Sequence, residues 1–378
     1  MLKNKIYKYL ANEIIKNFIT VLLTFSAIAW TVRSVNFLDL MIEDGYSSII
    51  YFKYSFLNFF TIVSRFIPLS FLLSLVISIA KFERQQELLI LWTTGVNRMK
   101  IANIFFFISF LIVFFQIILS LFINPFTLNK SRALLRETEN KDIFSMIKSS
   151  DFSDSIKGVT FYINEKKSNN ELVDLFIKDN NGSLGTIVSE IDNSNNTTIF
   201  AKKGFIEKNK LILFNGSFQS LNTQNEIKNV FFQKTELNIK NFDNRTIKEP
   251  KIQETSSIIL LKCIMQKEFS QNLQNCSSDK SKKNIIEALS RRIGMPLYIP
   301  LISIIASFLL IYKKEKKYNF IKQYIIFGLG FLILIFAEVL VRFSGFSTAN
   351  FIIYISTPLI LFIIAYFILF KKLNIKKY

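Results

Sequence analysis

The chain has 378 residues, half of them hydrophobic, with 41 Phe and 47 Lys or Arg against 28 Asp or Glu, for a formal charge of +19. That apolar share at that length points to a membrane rather than the cytosol; Lys, Asn, Ile and Phe are abundant together, so the charge reads as compositional bias and not as a nucleic-acid surface, and its placement matters more than its total. The absence of histidine removes the commonest general base and metal ligand, and two cysteines are too few for a structural zinc site.

A helix crossing about 30 Å of hydrocarbon needs roughly 20 apolar residues, and six such runs occur. The first, residues 18–38, follows Lys3, Lys5, Lys8 and Lys16. Ala27-Ile28-Ala29 imitates a signal-peptide cleavage site, but the apolar run continues beyond it and further spans follow. The second covers 48–82, with a kink predicted at Pro68, and the third 101–123. The fourth, fifth and sixth cover 293–312, 322–343 and 351–370. The N-terminus, residues 83–100, the lysine-rich turn at 313–317 and the Lys371-Lys372 tail must share one side, and all are rich in Lys and Arg. The positive-inside rule then predicts both termini in the cytoplasm and the middle of the chain outside, in the periplasm if the cell is Gram-negative.

Residues 83–98 predict a short helix between spans two and three, with Leu88, Leu91 and Trp92 on one side and Gly95 as its stop. Two readings stand: a helix lying on the lipid surface, or a coupling helix seated in a motor subunit. No G-x-x-x-x-G-K-[ST] occurs, so ATP would have to be used by a separate ATPase. No cofactor, metal site or catalytic residue is expected in this chain.

From about 125 to 290 the composition turns to Asn, Ser, Lys and Asp with short apolar alternations. Strands are predicted at 159–163, 172–178, 185–191, 197–201, 210–214, 217–221 and 230–239, separated by turn signals such as Asn180-Asn181-Gly182 and Asn215-Gly216. An antiparallel sandwich or open jelly roll follows, with 256–290 helical or loosely ordered. Cys263 and Cys276 could close a small disulfide loop or remain as two thiols. The predicted plan is thus three spans in 1–124, a periplasmic all-β, jellyroll-like domain in 125–290, and three spans in 291–378.

Cations within spans are costly and call for a partner, a wet cavity or a substrate. Arg33 lies about 15 residues into the first span, roughly 22 Å from its start, Arg65 lies at a similar depth in the second, and Glu338 and Arg342 are one turn apart near the end of the fifth. Arg291 and Arg292 open the fourth. In one reading Glu338 pairs with Arg342 and the other arginines snorkel. In the other, Arg33, Arg65, Arg292 and Arg342 line a cavity for an anionic lipid headgroup, because a guanidinium donates two parallel hydrogen bonds to phosphate.

A Tyr-rich basic start running into span one, Ile67-Pro68-Leu69-Ser70 in span two, Glu87 followed eight residues later by Gly95, and the order three spans, β domain, three spans together resemble the LptF/LptG (YjgP/YjgQ) permeases of the lipopolysaccharide export ABC transporter. Arg33 resembles the basic residue with which the LptF branch contacts lipopolysaccharide, and with Arg342 it favours LptF over LptG. The resemblance implies a heterodimer with an LptG-like permease on an LptB-like ATPase dimer, with Glu87 and Gly95 in the helix seated in the ATPase. It further implies that lipopolysaccharide enters from the outer leaflet and passes to LptC- and LptA-like periplasmic jellyroll proteins. The Asn- and Lys-rich middle domain and the cysteine pair depart from the family pattern. A non-transporting scaffold or signalling subunit with a periplasmic binding domain is the alternative.

Overall fold

The computed structural model describes residues 5–42, 46–139, 150, 152–156, 159–167, 171–179, 197–207, 210–221, 227–238, 251–265, 279–311 and 316–374. Six of its helices are long and apolar enough to cross a membrane, and its strands form an antiparallel sheet in the middle of the chain, so this is a helical membrane protein with an inserted β domain. The chain divides into two compact units.

The first unit takes Met1–Arg33, Phe56–Lys130 and Pro250–Tyr378. Its long helices are α1 (Lys5–Asn36), α3 (Ser48–Arg84), α5 (Arg98–Ile118), α8 (Asp279–Ser307), α9 (Lys316–Ser344) and α10 (Thr348–Asn374), with the shorter α4 (Glu87–Thr93) and α7 (Ser257–Met265); α2 (Asp39–Ile42) belongs to the second unit, and α6 (Asn124–Glu139) begins in the first and ends in the second. Helices α3, α5 and α8 are the most enclosed and supply the fully buried Phe71, Leu75, Phe105 and Tyr298. Helix α1 lies antiparallel along α3. Phe18 meets Phe71 edge-on at 6.0 Å and Trp30 meets Phe59 at 6.0 Å, while Asn17 Nδ2 donates to Ser78 Oγ at 2.8 Å and Lys81 pairs with Glu13. Helix α9 reaches α3 through Gly330, where an added Cβ would come within 2.7 Å of Leu72 Cδ1. The fourth predicted span is the end of a longer helix that begins at Asp279.

Proline within a helix removes an N–H and leaves the carbonyl four residues earlier without its donor, a cost that lipid cannot relieve. Here three such carbonyls are met by side chains. Pro68 sits inside unbroken α3, and Gln116 Nε2 donates to Ser64 O at 3.4 Å. Pro296 sits inside α8, and Ser120 Oγ donates to Arg292 O at 2.8 Å. Pro125 sits at the start of α6, and Ser257 Oγ donates to Leu121 O at 2.9 Å. Gln116 and Ser120 are one turn apart, where α5 passes into the π-helical turn Leu119–Ile123. The predicted third span therefore continues through that turn and α6 as far as Glu139.

The second unit takes Ser34–Ser55 and Ser131–Glu249. Its six-stranded sheet is an antiparallel meander in chain order, β1 (Phe152–Ile156), β2 (Val159–Lys166), β3 (Glu171–Asp179), β4 (Thr197–Glu207), β5 (Lys210–Leu221) and β6 (Ile227–Asn238). Alternation sends Val159, Phe161, Ile163, Leu175, Ile177 and Ile199 to one face, where with Leu213 and Phe218 they are nearly inaccessible. Strand β1 carries too little alternation to stand out in the sequence. The strand predicted at 185–191 and the turn at 180–182 lie outside the described residues.

One turn assignment is corrected. Asn215-Gly216 does not separate two strands; β5 runs straight through it. Asn215 takes the left-handed region at φ 49 and falls between the paired residues Phe214 and Gly216, as Asp174 at φ 51 does in β3. Asn and Asp are the residues, after Gly, that tolerate this conformation. Gly216 is required for a different reason: a Cβ there would stand 2.1 Å from Phe200 O and 2.5 Å from the Phe232 ring. The same Asn-Gly pair that makes a hairpin turn elsewhere lies within one strand here, and the pairing register is the same on both sides of it.

Candidate functional site

Arginine is held in the helical unit in two distinct ways. Arg65 on α3 is exposed, and the charges of Arg33, Arg291 and Glu338 lie near enough to act on it. Guanidinium groups from α1 and α8 and a carboxylate from α9 thus lie within electrostatic reach of Arg65 on α3. The antiparallel register of α1 on α3 carries Trp30 to Phe59 and Phe25 to Phe66, which sets Arg33 about 12 Å along the pair from Arg65, and α9 runs back along α3 from Gly330 to bring Glu338 toward Arg65.

Arg291 Nη1 donates to Glu338 Oε1 at 2.5 Å, and Arg291 Nη2 lies 3.6 Å from Glu287 Oε1 one turn earlier on α8. This overturns the predicted pairing of Glu338 with Arg342. Both options put a cation within reach of the carboxylate, but α9 packs on α8, and Arg291 meets Glu338 across that contact. Arg342 stays exposed on α9. Arg291, not counted among the headgroup residues, is therefore part of the cluster; its signal in the sequence was a cation at the opening of a span with a carboxylate four residues before it.

Arg292, its neighbour, is turned the other way and is 8% exposed. Its Nη1 donates to Thr255 O at 3.0 Å and Ser257 Oγ at 2.7 Å, and its Nη2 to Gln253 O at 3.0 Å and Ile252 O at 3.3 Å. With Ser120 on its own carbonyl, Arg292 ties together α8, the π-helical turn and the segment leading into α7. Its donors are committed to protein, so the structure separates it from Arg33, Arg65 and Arg342. Consecutive residues on a helix point about 100° apart, and that rotation is what gives the Arg-Arg pair two different jobs.

The short helix between α3 and α5 has clear limits. Gln86 at φ 60 turns the chain out of α3. Val96 N–H donates to Leu91 O and Gly95 N–H to Trp92 O, the paired closing bonds of a helix end with Gly95 at φ 81; no atom lies near a Cβ there, so backbone conformation alone asks for glycine. Leu88 and Leu91 are buried in the unit's own core, and Trp92 packs half-buried against it beneath the Arg98 guanidinium at 5.1 Å. The side predicted to meet a partner thus faces inward, and the outward apolar residues are Leu89 and Ile90. Periodicity defines the two sides of a helix but not which one a neighbouring helix will cover. Glu87 accepts from Tyr9 Oη at 3.0 Å, fastening α4 to α1. Cys263 on α7 is disulfide-bonded; the chain's other cysteine, Cys276, lies outside the described residues.

In the sheet, a cleft of about 610 Å³ opens over β2 to β6, lined by Tyr162, Phe176, Phe200, Lys202, Ser217 and Phe231 among others.

Two comparisons bear on these features. Residues 8–372 match the family model described as lipopolysaccharide export system permease LptF/LptG. An uncharacterized protein of Rickettsia prowazekii (strain Madrid E) is 24% identical over 173 residues, which make up 46% of this chain and 48% of that protein. The alignment therefore spans about half the length of the relative.

Proposed function

We propose a transport role for this chain, which belongs to the LptF/LptG family of lipopolysaccharide export permeases: it is one of the two permease subunits of an ABC transporter, and it takes lipopolysaccharide from the outer leaflet of the inner membrane. The observation that carries this reading is the gathering of Arg33, Arg65 and Arg291 from three separate helices. Clustered guanidinium groups repel one another, and the two carboxylates, Glu287 and Glu338, both sit on Arg291. A phosphorylated headgroup would accept the paired hydrogen bonds that such a cluster donates. Arg342 stands one turn from Glu338 on α9 and would meet the headgroup as it enters. Arg292 in this reading braces the site from behind.

Helix α4 would seat in an LptB-like ATPase through Leu89 and Ile90, with Leu88, Leu91 and Trp92 anchoring it to the permease so that movement of the seat reaches α3 and α5. ATP is used in that partner. The lysine-rich ends place both termini in the cytoplasm, and the sheet then lies in the periplasm, where it hands lipid toward LptC- and LptA-like proteins. An LptG-like permease completes the pair. The preference for LptF over LptG rests on Arg33 and Arg342.

Arg33→Glu reverses charge at the cluster. Export of lipopolysaccharide to the cell surface should fall about tenfold or more while membrane insertion and abundance hold. Full export by this variant would sink the headgroup role, and a chain that purifies with no ATPase would favour the scaffold reading.

A further inference from the structure

The face of the sheet opposite its buried core carries a row of aromatic residues that runs across the strands. Phe152 pairs with Tyr162, Tyr162 with Phe176, Phe176 with Phe200, Phe200 with Ser217, and Ser217 with Phe231. Five rings and one serine thus lie in a single line over six strands. Neighbouring rings are in contact, with centroids 4.9 Å apart for Phe152–Tyr162 and 5.2 Å for Phe176–Phe200. The row is open: Phe152 is 65%, Phe200 40% and Phe231 83% exposed.

Polar side chains flank the row on both sides. Two residues along the strands on one side, Thr160, Lys178, Thr198, Gln219 and Asn229 are paired in the same straight order. On the other side stand Asn164, Asp174, Lys202 and Asn215, with Asn164 Nδ2 3.4 Å from Asp174 Oδ2. The apolar strip is therefore one residue wide. An acyl chain laid along it would strip water from hydroxyl, amide and ammonium groups on both flanks without replacing their hydrogen bonds. A protein partner needs roughly 800 Å² on each side, and five rings, two of them half-buried, offer only part of that.

A saccharide meets each of these features. The C–H faces of a pyranose lie on the negative faces of aromatic rings, and its hydroxyls, which radiate from the ring edge, reach the polar flanks. The rings repeat at the strand spacing, roughly 4.8 Å, which is comparable with the rise of one sugar unit in an extended chain. Where Ser217 replaces a ring, Phe200 and Phe231 stand two strands apart, about 10 Å, and both line the cleft of about 610 Å³ that extends from Tyr162 to Phe231; that gap admits one sugar ring between two aromatic side chains. Charge complements the same ligand: Lys178 and Lys202 flank the row on opposite sides against Asp174, which suits a saccharide that carries phosphate.

We infer that the aromatic row Phe152, Tyr162, Phe176, Phe200 and Phe231, with its notch at Ser217, is a platform for phosphorylated saccharide, and that its occupant is the sugar portion of the exported lipopolysaccharide. The choice of lipopolysaccharide as the source rests on the transport reading above. The buried face of the sheet is not involved. The row steadies the hydrophilic part of the molecule on the outside of the domain.

The test uses the full chain in nanodiscs and, as probe, the phosphorylated oligosaccharide left after complete deacylation of lipopolysaccharide. Saturation-transfer NMR should pass magnetisation from the protein to the sugar C–H protons. Phe200→Ala and Phe231→Ala should each weaken binding about tenfold, and Lys202→Gln should weaken the phosphorylated probe several-fold while leaving its dephosphorylated form unchanged. Ser217→Trp fills the notch without removing an apolar contact and should also abolish transfer, so a loss cannot be laid to misfolding of the alanine variants. Absence of transfer in the wild type, equal transfer in Phe200→Ala with Phe231→Ala, or displacement of the probe by lauric acid would each overturn the platform. A photo-crosslinker at position 69, one turn from Arg65 on α3, separates the two readings. If intact lipopolysaccharide still labels it when the platform fails, the transport reading stands alone; if it labels nothing, the transport reading fails as well.

Discussion

On the helices, Ile19, Leu23, Phe107 and Ile360 stand about half exposed, and on the sheet Phe152 and Phe231 are more open and Phe200 somewhat less. Such exposure has opposite meaning in the two units. The helices are long and apolar enough to span a membrane, and an open leucine there meets hydrocarbon, its natural solvent. On the sheet every flank of the aromatic row is polar, so its rings are exposed in water and invite a ligand. Polar groups reverse in the same way. In the helical unit they turn inward, onto carbonyls that proline has left without donors and onto the arginines. In the sheet they turn outward.

The largest effect expected from breaking this pattern is at Arg292. Alanine there would leave three carbonyls and the Ser257 hydroxyl without their donor, at a cost of about 3 kcal/mol. Thermal unfolding of the purified protein should show it, together with lower abundance in the membrane. An unchanged melt combined with lost lipid labelling would move Arg292 from brace to binding residue.

Glycine contacts sharpen the contrast further. A Cβ at Gly216 meets a backbone oxygen, whereas one at Gly330 meets the movable tip of Leu72. Gly216→Ala should cost about 2 kcal/mol and Gly330→Ala less than about 1 kcal/mol, since only the second neighbour can repack. Equal melting temperatures for the two variants would contradict that ordering. The proline-linked hydrogen bonds come next. Gln116→Leu and Ser120→Ala should each destabilise by about 1 kcal/mol. Replacing Pro68 and Gln116 together, by Ala and Leu, should recover much of the Gln116 loss, because the Ser64 carbonyl regains its own helical donor.

The smallest effect concerns charge on the sheet. Lys210 Nζ donates to Glu236 at 3.0 Å, and that bond, then the charges of Lys210 and Lys234, hold the Glu236 carboxyl below the usual carboxylate range. An acid whose pKa is depressed on folding contributes stability above its unfolded pKa and loses it as pH falls through the folded one. The contribution is therefore complete at neutral pH and fades in acid. Both side chains are open to water, so Glu236→Gln should make the melting temperature only slightly less sensitive to acid, and ~0.5 M salt should erase the difference.

Much of the molecule was legible in the residues themselves. Six apolar runs, the lysine-rich short turns and the period-two segments identified the spans and the β domain, because burying backbone in lipid and pleating a strand impose simple local rules. Gly95 was recognised as a helix stop from its type and position, and the structure gives it a positive φ. The residues grouped at the site were harder. Counting put Arg33 and Arg65 at similar depths, whereas the register of α1 on α3 sets them about 12 Å apart along the pair, and the pairing of Glu338 with Arg291 depended on which helix packs against α9. The inward turn of Leu88 and Leu91 and the passage of β5 through Asn215-Gly216 depended likewise on neighbours distant in the chain.

Sequence alone determined where the chain is apolar, where it is charged and at what period, since each of these is a property of a few consecutive residues. Only the tertiary structure decided which of two adjacent arginines joins the charge cluster and which is locked to carbonyls. It alone aligned five rings from five strands into one row. Both outcomes are set by packing and register between segments far apart in sequence, and a one-residue shift in either would send the same side chains to the opposite face.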